Sequence, residues 1–358
     1  MSLVVVDCHM VGQAAAGDAG NGRYAVTLLA AMAATAGEGD RMASLVATPE
    51  GARALERFGA TLGVPQADVP RLARAAPRAL ADAAADAAVF TYVSPGWSPC
   101  PTMLAVHDAT FMTNPEWLGS RARMVLRGLV PRSARRAAVV LALSETAAGD
   151  VAAALRLDRA KIRVVSPHPA AVFTPAPGAA ERVGERFGLG RYCLVVGDLG
   201  PRKNLGALGA AVRALRAQGT DLALALVGKP GPGGARIAAG AGGRWLGAVD
   251  DATLADLYRA AAVTAYPSLY EGFGLPVVEA MACASPVVAS NRGAIPEVAG
   301  DAAILVEPSP RAIAEGLRRA LDPDEAARLR AAGPVRAARY TQAAMGAAAW
   351  AAAREAAP

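Results

Sequence analysis

Cysteine is scarce and never paired in sequence. Cys8, Cys100, Cys193 and Cys283 are the whole set in 358 residues, with no C-x-x-C spacing, which excludes a zinc ribbon and a thioredoxin-like redox motif. Cys8, Cys193 and Cys283 sit in apolar runs, where buried free thiols of a reducing compartment are expected. No apolar stretch reaches the ~18–20 residues needed to span a bilayer. The opening Met1-Ser2-Leu3-Val4-Val5-Val6-Asp7 lacks the basic region of a signal peptide and reads as a first strand. These two absences lead to the expectation of a cytoplasmic protein. Aromatic residues make up only 5% of the chain. Stacking platforms are therefore few, no helix-turn-helix, RRM or KH pattern occurs, and nucleic-acid binding is disfavoured. Charged residues make up 19% against 53% apolar, the balance of a well-buried globular chain.

The length calls for two domains, since domains usually run ~100–200 residues. Short β-rich apolar runs alternate with alanine-rich helical stretches from end to end. Strands are expected at 3–7, 43–47, 87–92, 102–106, 138–143 and 162–165, then at 192–197, 221–227, 262–266, 286–289 and 303–306. The intervening helices include 22–35, 121–136, 145–155, 204–217, 251–260, 276–283 and 311–319. Such alternation predicts an α/β fold with parallel sheets covered on both faces. The series restarts after residues 166–179, whose four prolines and glycine make a linker. The expected division is 1–172 and 173–340. A last helix over about 341–358, carrying Met345 and Trp350, must dock on an apolar surface and is placed back on the first domain.

The net charge is +6, which suits an anionic ligand or surface without naming one. Its distribution says more. Arg121, Arg123, Arg127, Arg132, Arg135 and Arg136 fall in one stretch with no acidic residue, interleaved with Met124, Val125, Leu126, Leu129 and Val130. A solvated surface helix is one reading, and contact with an anionic membrane or acceptor the other.

Open α/β sheets bind ligands at the carboxyl ends of their strands, so the chemistry is sought in strand-to-helix loops. The strongest signal is Tyr266-Pro267-Ser268-Leu269-Tyr270-Glu271-Gly272-Phe273-Gly274-Leu275-Pro276-Val277-Val278-Glu279. Gly272 and Gly274 let backbone approach a ligand closely. Pro276 suits the start of a helix, whose first-turn N–H groups favour a phosphate. Glu271 and Glu279 flank that site as acceptors for sugar hydroxyls. A second signal is Val196-Gly197-Asp198-Leu199-Gly200-Pro201-Arg202-Lys203-Asn204. Two cations at a helix N-terminus oppose the macrodipole and call for a compensating anion.

The segment from Tyr266 resembles the paired-glutamate motif of the retaining glycosyltransferases of family four, which have the GT-B fold. The resemblance runs on through Pro286-Val287-Val288-Ala289-Ser290, Pro296-Glu297-Val298 and Gly300-Asp301-Ala302. It implies two Rossmann-like domains facing across a cleft, the first for the acceptor and the second for a nucleotide-sugar donor. It also implies that Glu279 holds the donor ribose, and that Glu271 holds the transferred sugar. Phe273, Gly274 and Leu275 would offer backbone N–H groups, Arg202 and Lys203 would hold the diphosphate, and Gly197 would lie beside them. Ala284 stands where the family usually has glycine, and a small backbone adjustment is expected there.

Weaker signals complete the set. Val106-His107-Asp108 ends a strand at the expected cleft, and the resemblance puts His107 on an outer hydroxyl of the sugar, with Asp108 supporting the loop. Asn114-Pro115-Glu116-Trp117 and Arg132-Ser133-Ala134-Arg135-Arg136 resemble mannosyltransferase members most. Gly17-Asp18-Ala19-Gly20-Asn21-Gly22-Arg23-Tyr24 is a glycine loop opening a helix, with Gly20 and Gly22 as donor contacts. Position 25 is alanine, so the dinucleotide fingerprint G-x-G-x-x-G is not met. In the turn Arg244–Leu254, the resemblance puts the Val249 backbone beside the nucleobase, and Asp251 is expected to cap the next helix. Asp322-Pro323-Asp324 reads as a helix cap, and neither metal nor other cofactor is expected.

With these features the resemblance implies a metal-independent retaining hexosyltransferase, leaning to mannose. It would use a GDP- or UDP-linked sugar and a glycan, lipid-linked or small-molecule acceptor, at the inner membrane face where the acceptor is a lipid. A nucleotide-sugar epimerase of the same fold, a NAD-dependent oxidoreductase and a silent nucleotide-sugar-binding subunit are the alternatives.

Overall fold

The computed structural model describes residues 2–12, 20–198, 200–229 and 233–357. Gly17, Asp18 and Ala19 of the first glycine loop, Leu199 of the Arg-Lys loop and Pro230–Pro232 of the loop at 228–234 therefore lie outside the described residues. The chain forms two compact units. One comprises residues 1–168 with 341–358, the other residues 169–340. The division falls a few residues before the position expected from the proline-rich stretch.

The first unit holds a sheet of β1 (Leu3–Asp7), β2 (Arg41–Val46), β3 (Ala60–Gly63), β4 (Ala87–Thr91), β5 (Thr102–Ala105), β6 (Val139–Ala142) and β7 (Ile162–Val164), in the order β3-β2-β1-β4-β5-β6-β7. The second holds β8 (Tyr192–Val196), β9 (Ala223–Val227), β10 (Arg244–Trp245), β11 (Val263–Tyr266), β12 (Val287–Ser290) and β13 (Ile304–Val306), in the order β10-β9-β8-β11-β12-β13. Every pairing in both sheets is parallel. The central strands are buried along their whole length, as in Leu3–Asp7 and Tyr192–Val196, because helices cover both faces of a parallel sheet. Each order reverses beside its first strand, between β1 and β4 and between β8 and β11. Those are the topological switch points where such sheets take ligands.

Two strands were not expected from sequence, β3 and β10. β3 is Ala-Thr-Leu-Gly at a sheet edge, and β10 has two exposed residues. Neither carries the continuous apolar run that marks a buried strand. The helix Gln342–Ala356 docks on the first unit against the helix Gly20–Ala34. Trp350 is buried there and donates its indole N–H to the Met32 carbonyl at 3.0 Å. Gly346 permits the approach, since a Cβ there would lie 2.3 Å from the Ala31 carbonyl oxygen.

All four cysteines are free and buried, and burial pushes the Cys193 and Cys283 thiols up to about 12. Among the described residues no helix is long and apolar enough to cross a membrane.

Candidate functional site

The switch point of the second sheet brings the two strongest sequence signals together. β8 ends at Val196 and leads through Gly197 into the turn Pro201–Lys203. β11 ends at Tyr266 and leads into the loop that carries Glu271. Lys203 is buried, and its ammonium lies 2.7 Å from Glu271 Oε1 and 2.5 Å from the Tyr266 hydroxyl. Arg202 lies outside this pair, one-third exposed, with its guanidinium 3.4 Å from Glu271 Oε2. The counter-charge that two cations require at this position is thus supplied in part by Glu271.

Burial would raise the Glu271 carboxyl, but Lys203 and Arg202 outweigh it and hold the group below its ordinary range. The Lys203 ammonium is pulled down by burial, with Glu271 opposing. The pair is therefore a charged group in a desolvated setting, where electrostatic interactions are strong.

Backbone geometry makes room for it. Gly197 takes a φ of +132°, and a Cβ there would sit 3.2 Å from Lys203 Cε. Asn204, in the left-handed region at φ +54°, ties the Lys203 turn to the chain beyond β13 through the Pro308 carbonyl at 2.8 Å. Leu269 N–H donates to the Arg202 carbonyl at 2.9 Å and joins the two loops directly.

The helix Leu275–Ala282 begins after Gly274, which has a φ of +98°. Gly272, Phe273 and Gly274 are buried and Leu275 partly so. The Phe273 ring turns away to meet Tyr340 edge-on at 5.1 Å. Pro276 stands in the first turn and lacks an N–H, so the N–H of Leu275 is a first-turn donor with no intrahelical acceptor. Glu279 is buried on this helix and accepts from the Tyr258 hydroxyl at 3.1 Å.

Val249 lies half-buried in the loop before the helix Asp251–Ala260. The cap of that helix is Asp250 and not Asp251. Asp250 has the extended backbone (φ −68°, ψ 162°) that a cap requires and accepts from the Thr253 N–H at 2.8 Å, whereas Asp251 is already helical. Asp322 caps the helix Pro323–Ala337 by accepting from Asp324 and Glu325 N–H groups. Ala284 is held at φ +55°, which accounts for the usual glycine there.

In the first unit, His107 follows β5 and is buried between the rings of Tyr24 and Tyr92, at 4.6 and 5.4 Å. Burial lowers its pKa to about 4, so the imidazole is neutral near pH 7. Its Nε2 is buried and has no hydrogen-bond partner among the described residues. Asp108 accepts from the Thr110 N–H and hydroxyl at 2.9 and 2.6 Å and supports the loop. Gly20 and Gly22 lie in the first turn of the helix Gly20–Ala34, Gly20 exposed and Gly22 buried.

Sequence reasoning missed three features of these sites. No role was assigned from sequence to the hydroxyls of Tyr266 and Tyr258, which meet Lys203 and Glu279. At the end of β1, Asp7 is buried with Arg71 at 2.5 Å and His9 Nδ1 at 3.0 Å. Arg71 lies 64 positions away in sequence, so no local motif could have joined it to Asp7.

Residues 190–323 match the family described as Glycosyl transferases group 1, which bears out the family-four resemblance over most of the second unit. The chain is 54% identical over 66 residues to an O-antigen chain mannosyltransferase B of Escherichia coli, covering 18% of this chain and 17% of that protein. The chain therefore spans about a sixth of the length of this curated relative. Among solved structures, a sucrose-phosphate synthase from Thermosynechococcus elongatus superposes with a TM-score of 0.76 over 97% of both chains at 20% identity. Anabaena HepE in complex with UDP-glucose superposes with a TM-score of 0.74 over 98% of this chain and 99% of that one, at 16% identity. The fold is GT-B, an α/β fold of two Rossmann-like parallel-sheet domains.

Proposed function

We propose that the protein is a retaining glycosyltransferase, a reading supported by the match of residues 190–323 to the Glycosyl transferases group 1 family. It would move a hexose, mannose by preference, from a nucleoside-diphosphate sugar to a glycan, glycolipid or small-molecule acceptor. The observation that carries this reading is the Lys203–Glu271 pair, with Arg202 beside it, at the carboxyl ends of β8 and β11. Cations favour the negative charge of a diphosphate, and Arg202 is the partly exposed one of the two. UDP-glucose bound to HepE supports a nucleotide-sugar donor, and the E. coli mannosyltransferase supports mannose.

Glu271 is engaged by Lys203 and Arg202, and we assign no residue as a nucleophile on the sugar. In our reading the acceptor attacks on the face the diphosphate leaves. The leaving oxygen takes the acceptor's proton, and Arg202, Lys203 and the first-turn N–H groups of Leu275–Ala282 stabilise the developing charge. Neutral His107 would hold a sugar hydroxyl through Nε2. Catalysis then rests on positioning and electrostatics and uses no metal.

The helix Ser120–Arg136 favours a lipid-linked acceptor. Arg121, Arg123, Arg127, Arg132, Arg135 and Arg136 are exposed on it, and so are Met124, Val125 and Leu129, whereas Val130, Ser133 and Ala134 form the buried side. Exposed apolar residues ringed by arginine fit an anionic lipid surface.

The test of the donor site is turnover. Arg202→Ala and Lys203→Ala should each lose about 10²–10³ in kcat, as removed anion stabilisers do, and retention of full turnover by both overturns the assignment.

A further inference from the structure

Tyr258 has no part in the mechanism above, yet it is among the largest fully buried side chains and it spends its hydroxyl on Glu279. Burial, then the neighbouring Glu279 charge, pushes the phenol well above its ordinary range, so it stays protonated and can only donate to the carboxylate. A glutamate on a helix turns about three side-chain bonds, and a donor fixed on one oxygen sets the plane of the carboxylate.

Tyr258 is itself held from the other side. Phe173 is buried and meets its ring edge-on at 5.9 Å. The carbonyls on either side of Phe173 are clamped by the next residue of the same helix. Arg259 donates from Nη2 to the Val172 oxygen and from Nε to the Thr174 oxygen, both at 2.6 Å, while Asp256 accepts from its Nη1 at 2.9 Å. The proline-rich stretch at the start of the second unit is therefore seated on the helix Asp251–Ala260, and its one buried ring backs the tyrosine that orients Glu279. An exposed linker would need neither the clamp nor the ring.

We infer that Tyr258 is a positioning residue for donor recognition: it presents the Glu279 carboxylate to the ribose hydroxyls of the nucleotide, with Phe173 keeping it in register. The inference rests on the reading of Glu279 as the ribose contact. It predicts that losing the phenol hydroxyl weakens recognition of the ribose and leaves the rest of the nucleotide alone.

The experiment is calorimetric titration of UDP and GDP, each beside its 2′-deoxy and 3′-deoxy counterparts, into the full chain and three variants. Tyr258→Phe keeps the ring and removes one hydrogen bond. It should weaken the ribonucleotide about tenfold and the matching deoxynucleotide less than about twofold, collapsing the preference between them. In turnover the same variant should raise the donor KM and leave kcat unchanged. Phe173→Leu, which keeps an apolar side chain but loses the ring edge, should shift the same preference in the same direction by a smaller factor. Equal weakening of ribo- and deoxynucleotides by Tyr258→Phe would mean a purely structural role and overturn the inference. No change in either would do the same. Glu279→Gln separates the two levels. If it abolishes the ribose preference while Tyr258→Phe does not, the positioning role fails and the site reading stands. If Glu279→Gln leaves the preference intact, the reading of Glu279 fails and the inference falls with it.

Discussion

Lys203 and Glu271 form a buried ion pair, 2.7 Å from nitrogen to oxygen, across the gap between β8 and β11 where the order of the second sheet reverses. Each residue serves the fold as well as the site. Lys203→Ala would leave the buried Glu271 carboxylate without its closest counter-charge, with Arg202 3.4 Å from its other oxygen. Breaking a buried pair from one side typically costs roughly 3–5 kcal/mol. The expected result in urea unfolding is a loss of that order, together with the fall in turnover. Lys203→Ala combined with Glu271→Gln should cost less stability than the sum of the single changes, because the second substitution removes the stranded charge.

Ala284 gives the opposite prediction. It follows the helix Leu275–Ala282 and closes a Schellman motif. Its N–H donates to the Met281 carbonyl at 3.0 Å, and the Ser285 N–H donates to Ala280 at 2.9 Å. A residue with a Cβ in the left-handed region costs about 1 kcal/mol relative to glycine. Ala284→Gly should therefore raise the unfolding free energy by about 1 kcal/mol with turnover unchanged, measured by the urea midpoint at constant slope. A destabilised Ala284→Gly would contradict the reading of the motif.

His107 makes stability depend on pH. Its folded pKa of about 4 lies below the ordinary histidine value of 6.5, so the unfolded chain binds the extra proton first. The stabilisation from keeping the ring neutral is fully present above about pH 6.5 and is lost as the pH falls toward about 4, at up to about 1.4 kcal/mol per pH unit. His107→Asn removes that group, so its unfolding free energy should change less between pH 6.5 and 4 than that of the parent chain. Parallel curves for the two proteins would contradict the assignment.

The basic helix is tested by sedimentation. The chain should pellet with phosphatidylglycerol vesicles at low salt, remain in solution with phosphatidylcholine alone, and be released as salt rises. Arg121→Glu with Arg127→Glu should abolish pelleting while nucleotide binding persists. Failure of the parent chain to bind the anionic vesicles would remove the membrane from the account.

Much of this architecture could be read from the sequence. The central strands are continuous apolar runs and the long helices alternate with them, so the periodic pattern identified both, and the glycine-proline chemistry around Glu271 pointed to the loop that carries the candidate site. β3 and β10 escaped because an edge strand with exposed residues has no burial to advertise. The cap at Asp250 was placed one position late because adjacent aspartates are chemically equivalent until backbone angles tell them apart. Tyr258 and Tyr266 escaped for another reason. A tyrosine in an apolar stretch looks like core, and its hydroxyl becomes functional only when folding brings a carboxylate or ammonium to it. The Phe173 contact with Tyr258 spans 85 positions and leaves no local trace, and the stretch containing it read as linker.

The central claim is that the second unit binds a nucleoside-diphosphate sugar through its own side chains. Thermal shift and product release with UDP-glucose, UDP-GlcNAc, GDP-mannose and UDP-galactose, each in EDTA, address it most directly. The account predicts that one donor stabilises the chain and is slowly hydrolysed without metal, with GDP-mannose favoured, and that Lys203→Ala slows that hydrolysis by about 10²–10³. Absence of binding by every donor, or binding that requires a divalent cation, would contradict it.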